Sequence, residues 1–443
     1  MYDRTMAELL HLAAGFLALD ENGGVLLRGI VDEYEVKLTA AGYRPLEEHE
    51  PWTLTPGQGY FVVRGQASLA AFRVPEGPWR GFAIAAAHSD SPTFKIREEA
   101  EVSGAGKTVR LSVEPYGGGI YRSWLDRPLS VAGRVLVRTA AGVEPRLVNV
   151  DRDLLVIPSV AIHMDRTVNK GAALDPAVDL LPLLGMEDKG AFRRLIAAEA
   201  GVEEADLVTT ELFLYPRMRG TCVGAAGEFL CAPRLDDLQC VYGCLQGFLA
   251  AGTGESMPVL CVFHNEEVGS GTWQGADSTF LTDVLSRAAA ALGRTGEAYQ
   301  TSVAESFLVS ADNAHAVHPA HPEYADKQEF PVLNGGVVVK YNANQHYTTD
   351  ALSDAVFRDL CRRAEVPVQR YSNRADLPGG STLGNISTSH LSIPSVDIGL
   401  PQLAMHSCCE VAGVRDTEAL ARVMTAYFSA GIRRLPGGGM ALA

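Results

Sequence analysis

Short apolar runs alternate with amphipathic stretches along most of the chain, a pattern that predicts strands alternating with helices. Apolar positions with the spacing of one helix face predict helices at 6–19, 31–41, 188–202, 236–251, 276–293, 350–365 and 416–433. Compact apolar runs predict strands at 58–64, 82–87, 258–263, 307–311, 336–341 and 395–399. The alternation indicates an α/β fold with a mostly parallel sheet that helices cover on both faces.

The pattern changes between Pro92 and about Pro233. Valine- and leucine-rich runs at 108–113, 131–137 and 154–157 predict further strands, and within this part of the chain only 188–202 has helical spacing. We therefore expect a β-rich domain at 93–233. It would be inserted into a discontinuous domain that consists of 1–92 and 234–443.

Composition and charge exclude several classes of protein. The chain has 443 residues, 47% hydrophobic and 21% charged, which is typical of a globular protein with a sizeable core. Because the net charge is -15 and no basic patch dominates, neither nucleic acid nor a membrane is an expected partner. The beginning of the chain lacks the pattern of a signal peptide. The eight cysteines lack zinc-ribbon spacing, so we expect reduced thiols in a cytoplasmic protein.

Five short polar stretches each follow an apolar run, and together they carry the candidate chemistry. Side chains that lie beyond the carboxyl ends of parallel strands converge at one edge of an α/β sheet. Carboxylates and histidines are oxygen and nitrogen ligands, which suit zinc, manganese or cobalt. The set therefore predicts a site for two divalent metal ions, with carboxylates to spare for proton transfer. In chain order its members are His88 with Asp90, Asp236 with Asp237, Glu266 with Glu267, Asp312, and His406.

The spacing within two of these pairs suggests different roles for their members. His88 and Asp90 are two residues apart, so their side chains leave an extended chain on the same side. Asp90 could fix the tautomer of a metal-bound His88 or orient a catalytic carboxylate. The adjacent Glu266 and Glu267 point in different directions, so one could bind metal while the other accepts a proton from water. Either pair could instead belong to an ordinary polar loop.

Several other residues allow more than one interpretation. Asp236 begins a predicted helix, where an aspartate could cap the helix as readily as bind metal. His315, His318 and His321 recur at every third position and could form an alternative metal cluster. Because prolines interrupt that segment, we expect these histidines to be structural or peripheral. The glycine-rich stretches near 270 and 380 match neither a phosphate-binding loop nor a turn that carries a nucleophilic serine.

The order of the acids and histidines resembles that of the aspartyl aminopeptidase family, whose members are di-metal aminopeptidases. The resemblance extends from about Gly15 to Ile432, which is nearly the whole chain. Long segments carry it: 116–134 (YGGGIYRSWLDRPLSVAGR), 157–169 (IPSVAIHMDRTVN), 310–319 (SADNAHAVHP) and 340–345 (KYNANQ). The segment 378–385 keeps the glycine and hydroxyl character of a family loop that borders the substrate, but not every residue of it.

The resemblance implies a metal ligand set. One metal would be bound by His88, Asp236 and Asp312. The other would be bound by Asp236, Glu267 and His406, so that Asp236 bridges the two. The expected cofactors are two divalent ions, zinc in the first place, with manganese or cobalt as alternatives.

The resemblance also implies a mechanism and an assembly. Glu266 would be the general base that acts on a water between the metals, and Asp90 would support it. The inserted domain would mediate dimerisation, and the dimers would build a tetrahedral dodecamer in which His163 reaches the active site of a neighbouring subunit. Lys340 matches a lysine near the substrate pocket, where a cation would pair with an acidic side chain.

The expected activity is hydrolysis of an unblocked N-terminal Asp or Glu from a peptide. Three alternatives remain: an aminopeptidase for neutral residues, a deacylase on the same scaffold, and an inactive relative that only assembles.

Overall fold

The computed structural model of the chain describes residues 18–19, 25–26, 30–186, 189–252, 254–377 and 379–442. The helices are α1 (Ile30–Ala40), α2 (Ala191–Glu199), α3 (Leu235–Ala250), α4 (Phe280–Ala291), α5 (Glu297–Ala304), α6 (Ala351–Arg363), α7 (Leu383–His390) and α8 (Asp416–Ser429). The strands are β1 (Ala18–Leu19), β2 (Val25–Leu26), β3 (Arg44–Leu46), β4 (Gly59–Arg64), β5 (Ser68–Arg73), β6 (Phe82–His88), β7 (Thr93–Gly104), β8 (Thr108–Tyr116), β9 (Leu129–Thr139), β10 (Gly142–Asn149), β11 (Leu183–Met186), β12 (Leu207–Pro216), β13 (Thr221–Val223), β14 (Phe229–Ala232), β15 (Met257–Phe263), β16 (Phe307–Ala311), β17 (Ala314–His315), β18 (Val337–Tyr341), β19 (Val368–Ser372), β20 (Ser395–Gly399), β21 (Pro401–Leu403), β22 (Glu410–Gly413), β23 (Ile432–Arg434) and β24 (Met440–Leu442).

A nine-stranded sheet forms the centre of the fold, in the order β19-β18-β20-β16-β6-β15-β5-β4-β3. Its four middle strands, β20, β16, β6 and β15, run parallel to one another. Every residue of β6 and β15 is buried, because apolar side chains are covered on both faces of the sheet. The predicted mostly parallel, helix-covered sheet is confirmed, and the carboxyl ends of its middle strands lie together at one edge.

The two faces of this sheet have separate apolar cores, and alternate residues of β6 contribute to each. Ala83, Ala85 and Ala87 pack with side chains of α3 and α8. Ile84 and Ala86 point to the other face and pack with side chains of α4. Each buried leucine, isoleucine or phenylalanine in these cores contributes on the order of 2 kcal/mol.

Residues 93–216 form a second, antiparallel sheet in the order β10-β9-β12-β7-β8-β11. Its apolar core includes Phe94 and Trp124, whose rings pack edge to face at 5.1 Å, and side chains of α2. Cys408 packs into the same core from a distant part of the chain. The β-rich character of this region agrees with the sequence pattern, while the domain boundaries and the role in dimerisation stay predictions.

A five-stranded sheet, in the order β13-β14-β22-β21-β17, joins the two parts of the chain. Strand β14 precedes the predicted boundary at 233, and β22 lies far beyond it. The two strands pair antiparallel. Residues on both sides of the predicted boundary therefore share a sheet.

Several local predictions differ from the structure. Most of the helix predicted at 6–19 lies outside the described residues, and Ala18–Leu19 belong to β1. The helix predicted at 416–433 ends at Ser429, and Ile432–Arg434 form β23. The run 154–157 makes only isolated bridges through Leu155 and Val156. Helices α5 and α7 were not predicted. Among the described residues, no helix is long and apolar enough to span a membrane.

Candidate metal centre

The ends of three neighbouring parallel strands deliver candidate ligands to one edge of the central sheet. His88 is the last residue of β6, and Asp312 follows β16 directly. Glu266 and Glu267 begin a short 3₁₀ turn three residues after the end of β15. Asn265 makes this turn possible, since it adopts a left-handed conformation (φ 62°) that asparagine tolerates better than most residues. The expectation that these side chains converge is confirmed.

His88, Asp236 and Asp312 form the first group of candidate ligands. One ligand atom from each lies within 4.8 Å of the others. The Nε2 atom of His88 is 3.7 Å from Oδ1 of Asp236 and 3.9 Å from Oδ1 of Asp312. All three residues are buried. Two buried carboxylates beside one imidazole make a site that favours a cation.

Asp236, Glu267 and His406 form the second group. Nε2 of His406 lies 3.3 Å from Oδ2 of Asp236 and 3.4 Å from Oε1 of Glu267. Asp236 thus turns one oxygen toward each histidine, as a ligand shared by two ions would. Oδ1 of Asp236 and Oε1 of Glu267 are buried and accept no hydrogen bond from the described residues. Because such atoms are costly to leave unpaired, the donor set fits two cations.

Each histidine has its Nδ1 atom occupied, which leaves Nε2 for an ion. Nδ1 of His88 lies 3.1 Å from the carbonyl oxygen of Asp90, and Nδ1 of His406 lies 2.8 Å from that of Gly118. These contacts fix the tautomer of each ring, as is usual for histidines that bind metal. His406 also has a left-handed backbone (φ 67°), which costs about 1–3 kcal/mol and is typical of functional positions.

Asp90 supports the turn that carries the two glutamates. Its carboxylate accepts hydrogen bonds from the backbone N–H groups of Glu266 (3.1 Å) and Glu267 (3.2 Å) and from the hydroxyl of Tyr116 (2.8 Å). Burial alone would raise the pKa of Asp90. The imidazole of His88, whose Nδ1 lies 3.5 Å from the Asp90 carboxylate, and the Tyr116 hydroxyl outweigh burial and lower that pKa to about 2. Asp90 therefore stays ionised and holds both glutamates in place.

Glu266 belongs to neither ligand group, yet it lines the same pocket. Burial raises the pKa of its carboxyl group to about 7, and the neighbouring carboxylates act in the same direction. A carboxylate that lies beside a metal site without binding the ions, and whose proton affinity is raised, can accept and return a proton near neutral pH.

Glu410 and Asp237 position the candidate ligands. Asp237 belongs to one of the five polar stretches singled out in the sequence, whereas Glu410 was not predicted as a site residue. Glu410 is buried and accepts hydrogen bonds from the backbone N–H groups of His406 (2.6 Å) and Asp236 (3.0 Å). Asp237 accepts a hydrogen bond from the backbone N–H of His88 (3.1 Å). Glu410 lies four residues after His406, and no pattern in the sequence indicates that it supports the candidate ligands.

A pocket of about 120 Å³ opens beside the two groups. Lys340 lines it, but Nζ of Lys340 is buried and lies 3.5 Å from Oδ2 of Asp312. His315, expected to be structural or peripheral, also lines the pocket, beside the ring of Tyr371. His163 does not line it. Its side chain is exposed on the segment 158–167, next to the exposed Ile162 and Met164.

Comparison with known proteins places this chain among the aminopeptidases. Residues 27–428 match the model of the family described as Aminopeptidase I zinc metalloprotease (M18). A probable M18 family aminopeptidase 2 of Clostridium novyi (strain NT) is 42% identical over 395 residues, which cover 87% of this chain and 91% of the relative. The corresponding protein of Azotobacter vinelandii is 40% identical over 402 residues, with 89% and 92% covered.

Solved structures agree with these relatives. A chain in the structure of the Ape4 and Nbr1 complex superimposes with a TM-score of 0.90 at 32% identity, covering 97% of this chain and 87% of that chain. The mApe1 dodecamer of S. cerevisiae superimposes with a TM-score of 0.82 at 25% identity, covering 96% and 97%.

Proposed function

The chain belongs to the M18 family of zinc metalloproteases, and we propose that it uses two metal ions to remove N-terminal Asp or Glu residues from peptides. That it is a metal-dependent aminopeptidase follows from its family and its relatives. The number of ions, the specificity and the roles of individual residues are the proposal. The main support for two ions is that Asp236 belongs to both ligand groups and turns one carboxylate oxygen toward His88 and the other toward His406.

Two zinc ions held by His88, Asp236, Asp312, Glu267 and His406 would lower the pKa of the attacking water and polarise the scissile carbonyl. Glu266 takes the proton of that water and later gives it to the leaving amine. Asp90 is a positioning residue: it stays ionised, and its carboxylate accepts a hydrogen bond from the backbone N–H of Glu266. Manganese or cobalt could replace zinc with the same oxygen and nitrogen ligands.

The insertion at 93–233 serves in this proposal as a dimerisation domain, and His163 acts on the site of a neighbouring subunit. The dodecamer of the relative from S. cerevisiae supports a homo-oligomer here. The exposed apolar side chains of Val160, Ile162 and Met164 beside His163 support a contact with another subunit, since exposed apolar groups that cluster often mark interfaces.

Preference for acidic residues depends on Lys340, which is the only lysine or arginine among the described residues that line the pocket. A buried cation would pair with a substrate carboxylate. One observation favours a second candidate, an aminopeptidase for neutral residues: Asp312 already lies 3.5 Å from the lysine.

Lys340→Met separates these two candidates. If Lys340 recognises the substrate, kcat/KM for Asp and Glu substrates falls about 10- to 100-fold, because a charged hydrogen bond contributes about 1.5–3 kcal/mol. Hydrolysis of Ala and Leu substrates stays within a few-fold, which also shows that the variant folds. An equal loss on all four substrates would contradict a role in specificity.

The experiment that tests the proposed function is a panel of aminoacyl reporter substrates, assayed after chelation and after zinc, manganese or cobalt is added back. We expect no turnover without metal and the highest kcat/KM for Asp or Glu. Faster hydrolysis of Leu or Ala substrates would contradict the acidic preference and leave the metal-dependent activity standing.

A further inference from the structure

Two cysteines close in sequence to the proposed ligands Asp236 and His406 lie in direct contact. The Sγ atoms of Cys231 and Cys409 are 2.7 Å apart, although both thiols are free. Cys231 lies in β14 and pairs with Val411 of β22, so Cys409, which directly precedes β22, is the diagonal neighbour of Cys231. Both residues are half-buried. Part of each residue therefore remains exposed to solvent.

The two cysteines lie in the segments that carry proposed metal ligands. Cys231 is five residues before Asp236, and Cys409 lies between His406 and Glu410. Glu410 already holds the backbone of both ligands through its two oxygens. A covalent bond between the cysteines would join the same two segments a second time.

We propose that Cys231 and Cys409 form a reversible disulfide bond when a low-molecular-weight disulfide, such as oxidised glutathione, is present. The Cys231 thiolate attacks one sulfur of glutathione disulfide, which forms a mixed disulfide and releases one glutathione thiolate. The Cys409 thiolate then attacks the sulfur of Cys231 and releases the second glutathione. Two electrons pass from the protein thiols to glutathione disulfide, and each leaving thiolate takes up the proton lost by a cysteine.

The environment of Cys231 and Cys409 favours a disulfide bond between them over metal binding or a bond with the adjacent Cys408. The hydrogen bond from Cys409 lowers the pKa of Cys231, so Cys231 is the better nucleophile. Neither cysteine belongs to a group of three potential metal ligands among the described residues. Cys408, the adjacent thiol, is buried and donates to the carbonyl oxygen of Ser123 (2.8 Å).

Peptide mapping tests the bond directly. Purified full-length protein is treated with oxidised glutathione, its remaining thiols are alkylated, and non-reduced digests are analysed by mass spectrometry. We expect a cross-linked peptide that contains Cys231 and Cys409 and the loss of two of the eight titratable thiols. Dithiothreitol should restore all of them. Eight unchanged thiols, glutathione adducts alone, or a bond between another pair would overturn the proposal.

Serine variants give the matched controls. Cys231→Ser and Cys409→Ser should form no internal bond. Cys222→Ser should behave like the natural chain, because Cys222 pairs with Leu230 and points to the opposite face of the sheet from Cys231. A cross-link that persists in Cys231→Ser would overturn the assignment. If a variant fails to fold, the map of the unmodified chain still decides the question.

The bond should also slow the loss of metal, since it holds the segments of Asp236 and His406 together. We expect oxidised protein to release zinc to a chelator several-fold more slowly than reduced protein, and this difference should be absent in Cys231→Ser. This measurement rests on the proposed metal centre, whereas the peptide map does not. A correct map with equal release rates would therefore overturn only the stabilising effect.

Discussion

The edge of the central sheet and the antiparallel insertion contribute to the candidate site in different ways. All five proposed metal ligands lie outside the insertion: His88, Glu267 and Asp312 lie at or just after the ends of parallel strands that end together, Asp236 lies in the first turn of α3, and His406 precedes β22. The insertion supplies groups that orient other residues: the Tyr116 hydroxyl on Asp90 and the Gly118 carbonyl on His406. We infer that changes to the proposed ligands alter metal content, whereas changes in the insertion alter the rate while the metal stays bound.

The largest effect should come from the residue that both ligand groups share. Asp236→Asn removes the charge between the two ions, so we expect less than one bound ion per chain and no measurable turnover. His406→Ala removes a ligand of only one group and should leave one ion in place. Metal analysis after dialysis distinguishes these outcomes. The chain should remain folded, because the loss of one negative charge reduces the repulsion among the buried carboxylates. If Asp236→Asn and His406→Ala retained the same metal content, Asp236 would not bridge two sites.

Glu266→Gln should separate catalysis from metal binding within the central region. The amide cannot accept the proton of the attacking water, so kcat should fall on the order of 10²–10⁴-fold. Both ions should remain, since Glu266 belongs to neither ligand group. The measurements are kcat and metal content, with Glu297→Gln on the exposed start of α5 as control. Near-normal turnover by a variant that holds both ions would show that another group is the base.

His163→Ala tests whether the insertion acts on a neighbouring subunit. If His163 stabilises the developing charge on the scissile carbonyl, its loss should lower kcat on the order of 10²-fold without loss of metal. Co-expression with Glu266→Gln subunits should then restore part of the activity, because each variant provides the residue that the other lacks. Exposed His318 provides the control variant, His318→Ala. Mixed assemblies that gain no activity would place His163 outside the neighbour's site.

The same division explains how much of the site could be predicted from the sequence. His88, Glu266 and Asp312 follow apolar runs that are buried on both faces, so the run itself shows where each strand ends. Asp236 remained ambiguous because helix caps and metal ligands share a residue type. In the structure its backbone is non-helical (φ -82°, ψ 113°) and its carboxylate points to the two histidines.

The supporting residues could not be predicted, because they depend on contacts between distant segments. Tyr116 reaches Asp90 and Asn265 only because β8 packs beside the turn after β15. Glu410 joins Asp236 to His406 through pairing of β14 with β22. Such contacts follow from tertiary packing and leave no period in the sequence.

Tyr116→Phe should have the smallest effect. It tests whether a single orienting group of the insertion changes the rate without changing metal content. The variant keeps the ring, which packs against Phe213, and removes one hydroxyl. Asp90 loses one of three donors but keeps the two backbone N–H groups, so the turn should loosen without unfolding. A hydrogen bond to a charged group contributes about 1.5–3 kcal/mol, and because only part of that energy acts on the orientation of Glu266, kcat should fall about 3- to 10-fold.

Metal content decides what this loss means. We expect Tyr116→Phe to keep both ions, because Glu267 still contacts His406 through its own carboxylate. Tyr121→Phe, which alters another tyrosine of the insertion, should leave the rate unchanged. If the ions were lost together with the rate, the insertion would help to hold the ligands themselves. The division between a region that binds metal and a region that orients the catalytic groups would then fail at this hydroxyl.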